Sequence, residues 1–261
     1  VYEQPEDKEA EKQAEEKPEV KEETFLFDKS YECPVCYQGF KAKTVRSGKL
    51  RSLGTDRDLR PLYDQMEPLK YDVVICPHCG YAALTRFFGG LTAGQIKAIK
   101  ESISANFHPV KEEKEIYTYE EALYRYKLCL ANTIVKHGKV SEKAYICLKA
   151  GWLLRSMGEN LDPAVEDYNK KMQEIKEQEK DFLKNALDGL ITARQTESYP
   201  ICGMDEVTLE YLIAVLAMEF EKYDISSRLI YNILNTPTVN NRIKDKAREV
   251  KDELLQQMGK K

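Results

Sequence analysis

The spacing of apolar and polar positions changes character twice along the chain. Residues 1–23 carry no periodicity: ten acidic and four lysine side chains surround Val1, Tyr2 and Val20, the only large apolar ones. Such a stretch buries too little surface to offset its ordering entropy, so residues 1–23 are predicted to be a disordered acidic tail.

From residue 24 to residue 90 the apolar runs are short. Thr24-Phe25-Leu26-Phe27 reads as a strand. Phe40-Lys41-Ala42-Lys43-Thr44-Val45 alternates apolar and basic, the period of a half-buried strand. Tyr71-Asp72-Val73-Val74-Ile75 is rich in β-formers. A long insert, residues 46–69, separates the last two strands.

From residue 91 to residue 261 the period is helical. Thr92 caps a helix reaching about Phe107, stopped by Pro109. Tyr119, Leu123, Tyr126, Leu130 and Ile134 share a face of a second, ended by Gly138. Ser141 is expected to cap a third, which carries Trp152 and Arg155 to Gly158. Asp162-Pro163 is expected to open a fourth, aspartate at the cap and proline in the first turn, running to about Glu197. Asp205–Tyr223, Ile225–Leu234 and Arg242–Met258 complete the series. The predicted fold class is therefore α+β and mostly α, a small β module followed by a helical domain.

The late helices carry a degenerate tetratricopeptide-like pattern. Ala214 and Ser226 stand at the helix-crossing positions, Lys222-Tyr223-Asp224 makes the turn, and Pro237 closes the unit. Gly151 and Gly158 match the small and turn positions of an earlier copy. Repeats of this kind stack to bury a core and leave a groove for peptides. Tyr211, Ala214, Met218 and Tyr231 are the residues expected to line it. An irregular helical bundle with no groove is the other reading.

Composition adds limits. With 42% hydrophobic and 32% charged residues and a net charge of −4, the chain is an ordinary globular protein not built wholly for nucleic acid. No apolar run approaches the ~18–20 residues of a membrane span, and no basic-then-apolar leader opens the sequence. Seven cysteines, four of them paired as C-x-x-C, read as reduced cytoplasm. Cys129, Cys147 and Cys202 are expected to be small core residues.

The candidate chemistry is a metal site. Cys33-Pro34-Val35-Cys36 and Cys76-Pro77-His78-Cys79 supply four thiols in two pairs. Two residues between paired cysteines let one tight turn present both sulfurs to one ion. Four soft ligands with no open position are what structural Zn2+ requires, and the three strands with two knuckles make a zinc-ribbon-like module. The same four thiolates can hold iron, as in rubredoxin. His78 lies between two ligands and is expected at the surface. Gly80 follows the second knuckle, where a left-handed residue closes the turn; Tyr37 stands there in the first.

Lys41, Lys43, Arg46, Lys49, Arg51, Arg57 and Arg60, against Asp56 and Asp58, give residues 41–60 a local net charge of +5. This segment is either an anion or nucleic-acid contact or a solvated strand face and loop. No aromatic residue interleaves the run as in stacking platforms. Asp58 and Arg60 are expected to form a buried ion pair shaping the insert.

The C-P-V-C knuckle, the spaced Arg46, Asp58, Arg60 and Tyr63, then Pro68 and Tyr71, then C-P-H-C-G-Y-A, together resemble the bacterial family catalogued as domain of unknown function 2225. The resemblance spans about Leu26 to Met258. It implies a cysteine module ahead of a tetratricopeptide-like half, a cytoplasmic bacterial protein, and Cys33, Cys36, Cys76 and Cys79 as metal ligands; it carries over no reaction. The residues point first to a zinc-built scaffold that binds a protein or peptide partner. Alternatives are a nucleic-acid adaptor using residues 41–60 and a rubredoxin-like iron redox protein. No P-loop, G-x-S-x-G or H-E-x-x-H supports a hydrolase.

Overall fold

The computed structural model describes residues 21–109 and 115–259; most of the expected acidic tail, residues 1–20, lies outside the described residues. The last tail positions, Glu22 and Glu23, form a 3₁₀ turn with Thr24 and Phe25. The Glu22 carboxylate anchors this turn, accepting from Lys70 Nζ at 2.8 Å and from the Tyr71 hydroxyl at 2.7 Å.

Three antiparallel hairpins follow. β1 (Leu26–Glu32) pairs with β2 (Gly39–Val45), from Leu26↔Val45 to Glu32↔Gly39, and the first knuckle is the turn between them. The insert is ordered as a hairpin, β3 (Ser52–Thr55) with β4 (Pro61–Tyr63), bulged between Ser52 and Gly54. β5 (Val73–Ile75) pairs with β6 (Ala82–Leu84) around the second knuckle. β5 begins later than its β-forming run because Pro68–Tyr71 is a 3₁₀ turn. Proline fits its first positions, and the Glu67 side chain accepts from the Leu69 N–H at 3.0 Å.

Helix α1 (Ala93–Ser102) opens on a capping box in which Thr92 and Gln95 each satisfy the other's backbone N–H. It stops earlier than expected, giving way to a 3₁₀ turn at Ser104–Asn106. α2 (Tyr119–Val135) opens on the same device, built from Thr118 and Glu121. α3 (Val140–Glu159) and α4 (Tyr168–Thr196) both correct the expected starts. Ser141 is not a cap: it lies inside the first turn of α3, where Glu197 accepts from its N–H at 2.9 Å and its hydroxyl at 2.6 Å. A carboxylate from the end of α4 does the capping instead, which no local pattern encodes. Asp162-Pro163 makes a turn, with Asp162 accepting from the Ala164 N–H at 2.8 Å, and α4 starts after left-handed Asp167. α5 (Glu206–Glu219), α6 (Tyr223–Asn235) and α7 (Asn241–Met258) follow, α5 capped by Asp205 and α7 by Asn240.

Among the described residues the fold is thus α+β and mostly helical, with seven α-helices and three small strand pairs. α3 and α4 approach closely because glycine faces the partner at both contacts: Gly151 abuts Leu183 and Gly189 abuts Ala144. The main apolar core is continuous across residue 90. Leu69, Val73, Ala82 and Leu84 pack with Tyr126, Leu148, Leu187 and Leu216 in one cluster. Truncating one of those leucines to alanine costs about 2–5 kcal/mol. A second, smaller cluster contains the knuckles themselves: Cys33, Val35, Cys76, Cys79, Tyr81, Ala83 and Ile99. No helix of the described residues is long and apolar enough to cross a membrane.

Candidate metal centre

The two knuckles have the same backbone logic. In the first, the Cys33 N–H donates to Gln38 O at 3.0 Å and the Tyr37 N–H to Cys33 O at 2.9 Å. In the second, the Cys76 N–H donates to Tyr81 O at 2.8 Å and the Gly80 N–H to Cys76 O at 3.0 Å. Each turn needs a left-handed residue after its second cysteine. Gly80 supplies it at φ 72°, and Tyr37 adopts the same region at φ 61°. The Tyr37 side chain is 64% exposed, with Lys100 Nζ over its ring at 5.9 Å.

The turns bring all four sulfurs together. The ligand atoms of Cys33, Cys36, Cys76 and Cys79 lie within 4.8 Å of one another. Cys33 Sγ is 3.5 Å from Cys79 Sγ, and Cys36 Sγ is 3.6 Å from Cys76 Sγ. A tetrahedron with metal–sulfur bonds of about 2.3 Å has edges of roughly 3.8 Å, so the set is sized for one ion. The Val35 N–H points at Cys33 Sγ at 3.4 Å, the arrangement that stabilises a thiolate.

Left to themselves, Cys33, Cys76 and Cys79 compete for the charge. Donation from Cys76 and Cys79 holds the Cys33 thiol well below the ordinary thiol range, while donation to Cys33 pushes Cys76 and Cys79 above it. A cation among them would relieve that competition. The four-cysteine cluster could hold a metal ion in that way.

The centre is set into the fold rather than hung from it. Asn132, wholly buried on α2, donates to Gly80 O at 3.1 Å. The Phe107 ring lies against Gly80, so close that a Cβ there would sit 2.5 Å from it. Ile99 of α1 packs in the same cluster as the cysteines. His78 is exposed and is no part of the ligand group. The other cysteines stay thiols by burial: Cys147 and Cys202 are each pushed up to about 11, and Cys129 above the usual range.

The basic residues of 41–60 do not converge. Lys43 pairs with Asp28 at 3.0 Å, and Arg46 donates to Leu26 O at 3.2 Å. Arg51 lies 3.7 Å from Asp64, and Arg57 pairs with Glu253 on α7. Lys41 and Lys49 are exposed. Arg60 is buried, donating to Asp56 at 2.5 Å and to Glu159 of α3 at 2.7 and 2.9 Å.

The expected Asp58–Arg60 pair is corrected here. The Asp58 carboxylate takes only the backbone N–H of Arg60, at 3.4 Å. Its charge partner is Arg155, at 2.8 Å, with the Trp152 indole N–H at 2.9 Å. Alternation within the insert could not reveal partners nearly a hundred residues away.

The residues expected to line a helical groove divide. Tyr211, Ala214 and Met218 are buried at 2%, 0% and 2% exposure, so they cannot form an open wall. Ala214 is the helix-crossing position that the repeat pattern pairs with Ser226, its carbonyl accepting from the Ser226 hydroxyl at 2.7 Å. Tyr211 is covered by the insert, and its hydroxyl donates to Arg57 O at 3.0 Å. Tyr231 does line an apolar groove of about 330 Å³ between α6 and α7, with Leu234, Leu255 and Met258.

Comparison with curated proteins and with solved structures yields no match. A family model does match, over residues 26–254, from the first strand into the last helix, so the chain with this four-cysteine centre belongs to the family described as "Uncharacterized protein conserved in bacteria (DUF2225)".

Proposed function

We propose that the protein is a zinc-dependent scaffold: four thiolates hold one structural Zn2+, and the helical half it secures binds a protein partner. The observation that carries the reading is the all-thiol cluster, closed by two matched turns and set among core side chains. An ion held by four thiolates has no open position for substrate, so its contribution is to folding, of the order of 10–16 kcal/mol in small modules. The short hairpins carry too little apolar surface to stand without it. Iron fits the same donors; zinc is preferred because the cysteines serve as core residues at a junction.

For the helical half, the antiparallel pairs α3–α4 and α5–α6 and the buried Ala214–Ser226 crossing support a tetratricopeptide-like scaffold. The scattered, locally paired charges of residues 41–60 support no nucleic-acid surface. Elemental analysis of the purified chain tests the metal. Capture of a specific partner that is lost when α5–α7 surface residues are changed, with zinc retained, tests the scaffold; failure of any partner to depend on that surface sinks it.

A further inference from the structure

The β3 arm of the β3–β4 hairpin is largely exposed, while Asp58 and Arg60 beyond its tip are buried, with Thr55 and Arg57 exposed beside them. Leu53 is 57% exposed, whereas Asp58 and Arg60 are each 3% exposed. A hairpin of this kind is seated by its tip, and the seat has a definite address. On α3, Trp152 and Arg155 hold the Asp58 carboxylate at 2.9 and 2.8 Å, and Glu159 accepts from Arg60. On α5, the Tyr211 hydroxyl donates to the backbone carbonyl of Arg57 at 3.0 Å. On α7, Glu253 pairs with Arg57, and Lys246 Nζ donates to Thr55 Oγ1 at 2.8 Å.

These are alternate helices. In a stack of antiparallel helix pairs, alternate helices share one face, and such faces take extended peptide. The contacts have the chemistry of peptide recognition: a backbone carbonyl read by a tyrosine, one buried carboxylate on an arginine and an indole, and rim charges paired on either side.

We propose that the α3–α5–α7 face is a peptide-binding face which the chain fills with its own residues 55–60. Its ligand class is an extended segment of a partner protein carrying an aspartate that replaces Asp58 on Trp152 and Arg155. The partner must bring a carboxylate, because an apolar peptide would leave the buried Trp152 indole N–H without an acceptor and Arg155 with Glu179 alone, at 2.7 Å. The inference rests on reading the helical half as a scaffold, and makes the insert its resident competitor.

Trp152 is the chain's only tryptophan, so its emission reports occupancy of the face. The experiment uses the full-length Asp58→Ala chain, titrated with a synthetic peptide of residues 52–63 and with the same peptide carrying asparagine in place of Asp58. The aspartate peptide is expected to restore wild-type emission and to bind roughly 10–100-fold more tightly than the asparagine peptide. The wild-type chain is expected to bind neither. A D58A chain with native helicity and metal content that binds neither peptide, or both equally, overturns the proposal.

Should D58A fail to fold, amide exchange on the wild-type chain decides. The Leu59 N–H, bonded to Asp56 O, is then expected to exchange through local opening well ahead of the α3 and α5 amides. Exchange of all three at one rate makes the tip a fixed part of the fold and overturns the proposal. Metal content read on the same samples separates this result from the zinc reading: an apo chain that binds the aspartate peptide contradicts the latter alone.

Discussion

At the scale of residues, the two knuckles are one turn written with different side chains. Gly80 is confined by its positive φ and by the Phe107 ring against its Cα. Gly80→Ala is expected to destabilise the chain by about 2 kcal/mol or more, read as a lower denaturant midpoint. Tyr37 holds the same conformation with open surroundings, so Tyr37→Gly should stabilise by roughly 1 kcal/mol, and a loss of stability there would contradict the shared-turn account. Glu67 gives a pH prediction. Burial raises its carboxyl pKa against the pull of its Ser156, Leu69, Arg60 and Lys70 neighbours. The folded state is therefore favoured while the group is neutral, below the ordinary carboxylate range, and loses that advantage as pH rises through the raised pKa. Glu67→Gln keeps an oxygen for the Leu69 N–H and is neutral throughout. Its melting temperature should exceed wild type at pH 7, with the gap closing toward about pH 4; a constant gap would show that charge burial is not the cause.

At the scale of elements, helix packing turns on small residues. A Cβ at Gly189 would lie 2.7 Å from the Ala144 Cβ, and neither backbone can yield without parting α3 from α4. Gly189→Ala should cost about 1–3 kcal/mol. Gly158 has room, its nearest neighbours at 3.5 Å, so Gly158→Ala should gain about 0.5–1 kcal/mol from helix propensity. Equal responses in thermal denaturation would refute this packing. The same contrast explains what the sequence makes legible. The paired cysteines, β2, the cap at Thr92, the apolar stripe of α2 and the continuous apolar run of α5 all depend on near neighbours, and local pattern reveals them. The capping of α3 by Glu197, the hold of Arg155 on Asp58 and the covering of Tyr211 by the insert depend on residues distant in sequence. No spacing rule reaches them. Tyr211 and Met218 carry the residue types of a groove wall, yet both are buried and Tyr211 lies under residues 55–60; only the Ala214–Ser226 crossing is legible in the repeat pattern.

At the scale of the whole molecule, the β hairpins and the helices share a core, and the four-cysteine cluster stands at their junction. Leu69, Val73 and Leu84 pack with the helices, while Ile99 of α1 packs with the cysteines. With an ion held there as proposed, its removal should therefore reach beyond the knuckles. A strong chelator is expected to expose the amides of β5, β6 and α1 to exchange first, leaving α5 protected. Protection unchanged in α1 would detach the centre from the helical half. The most direct test of the account is the metal content of the purified chain, measured with its visible spectrum. The account predicts one zinc per chain, a colourless sample, and loss of the metal in Cys76→Ser. Iron with a thiolate charge-transfer band, or four freely reactive thiols that take up no zinc, would contradict it.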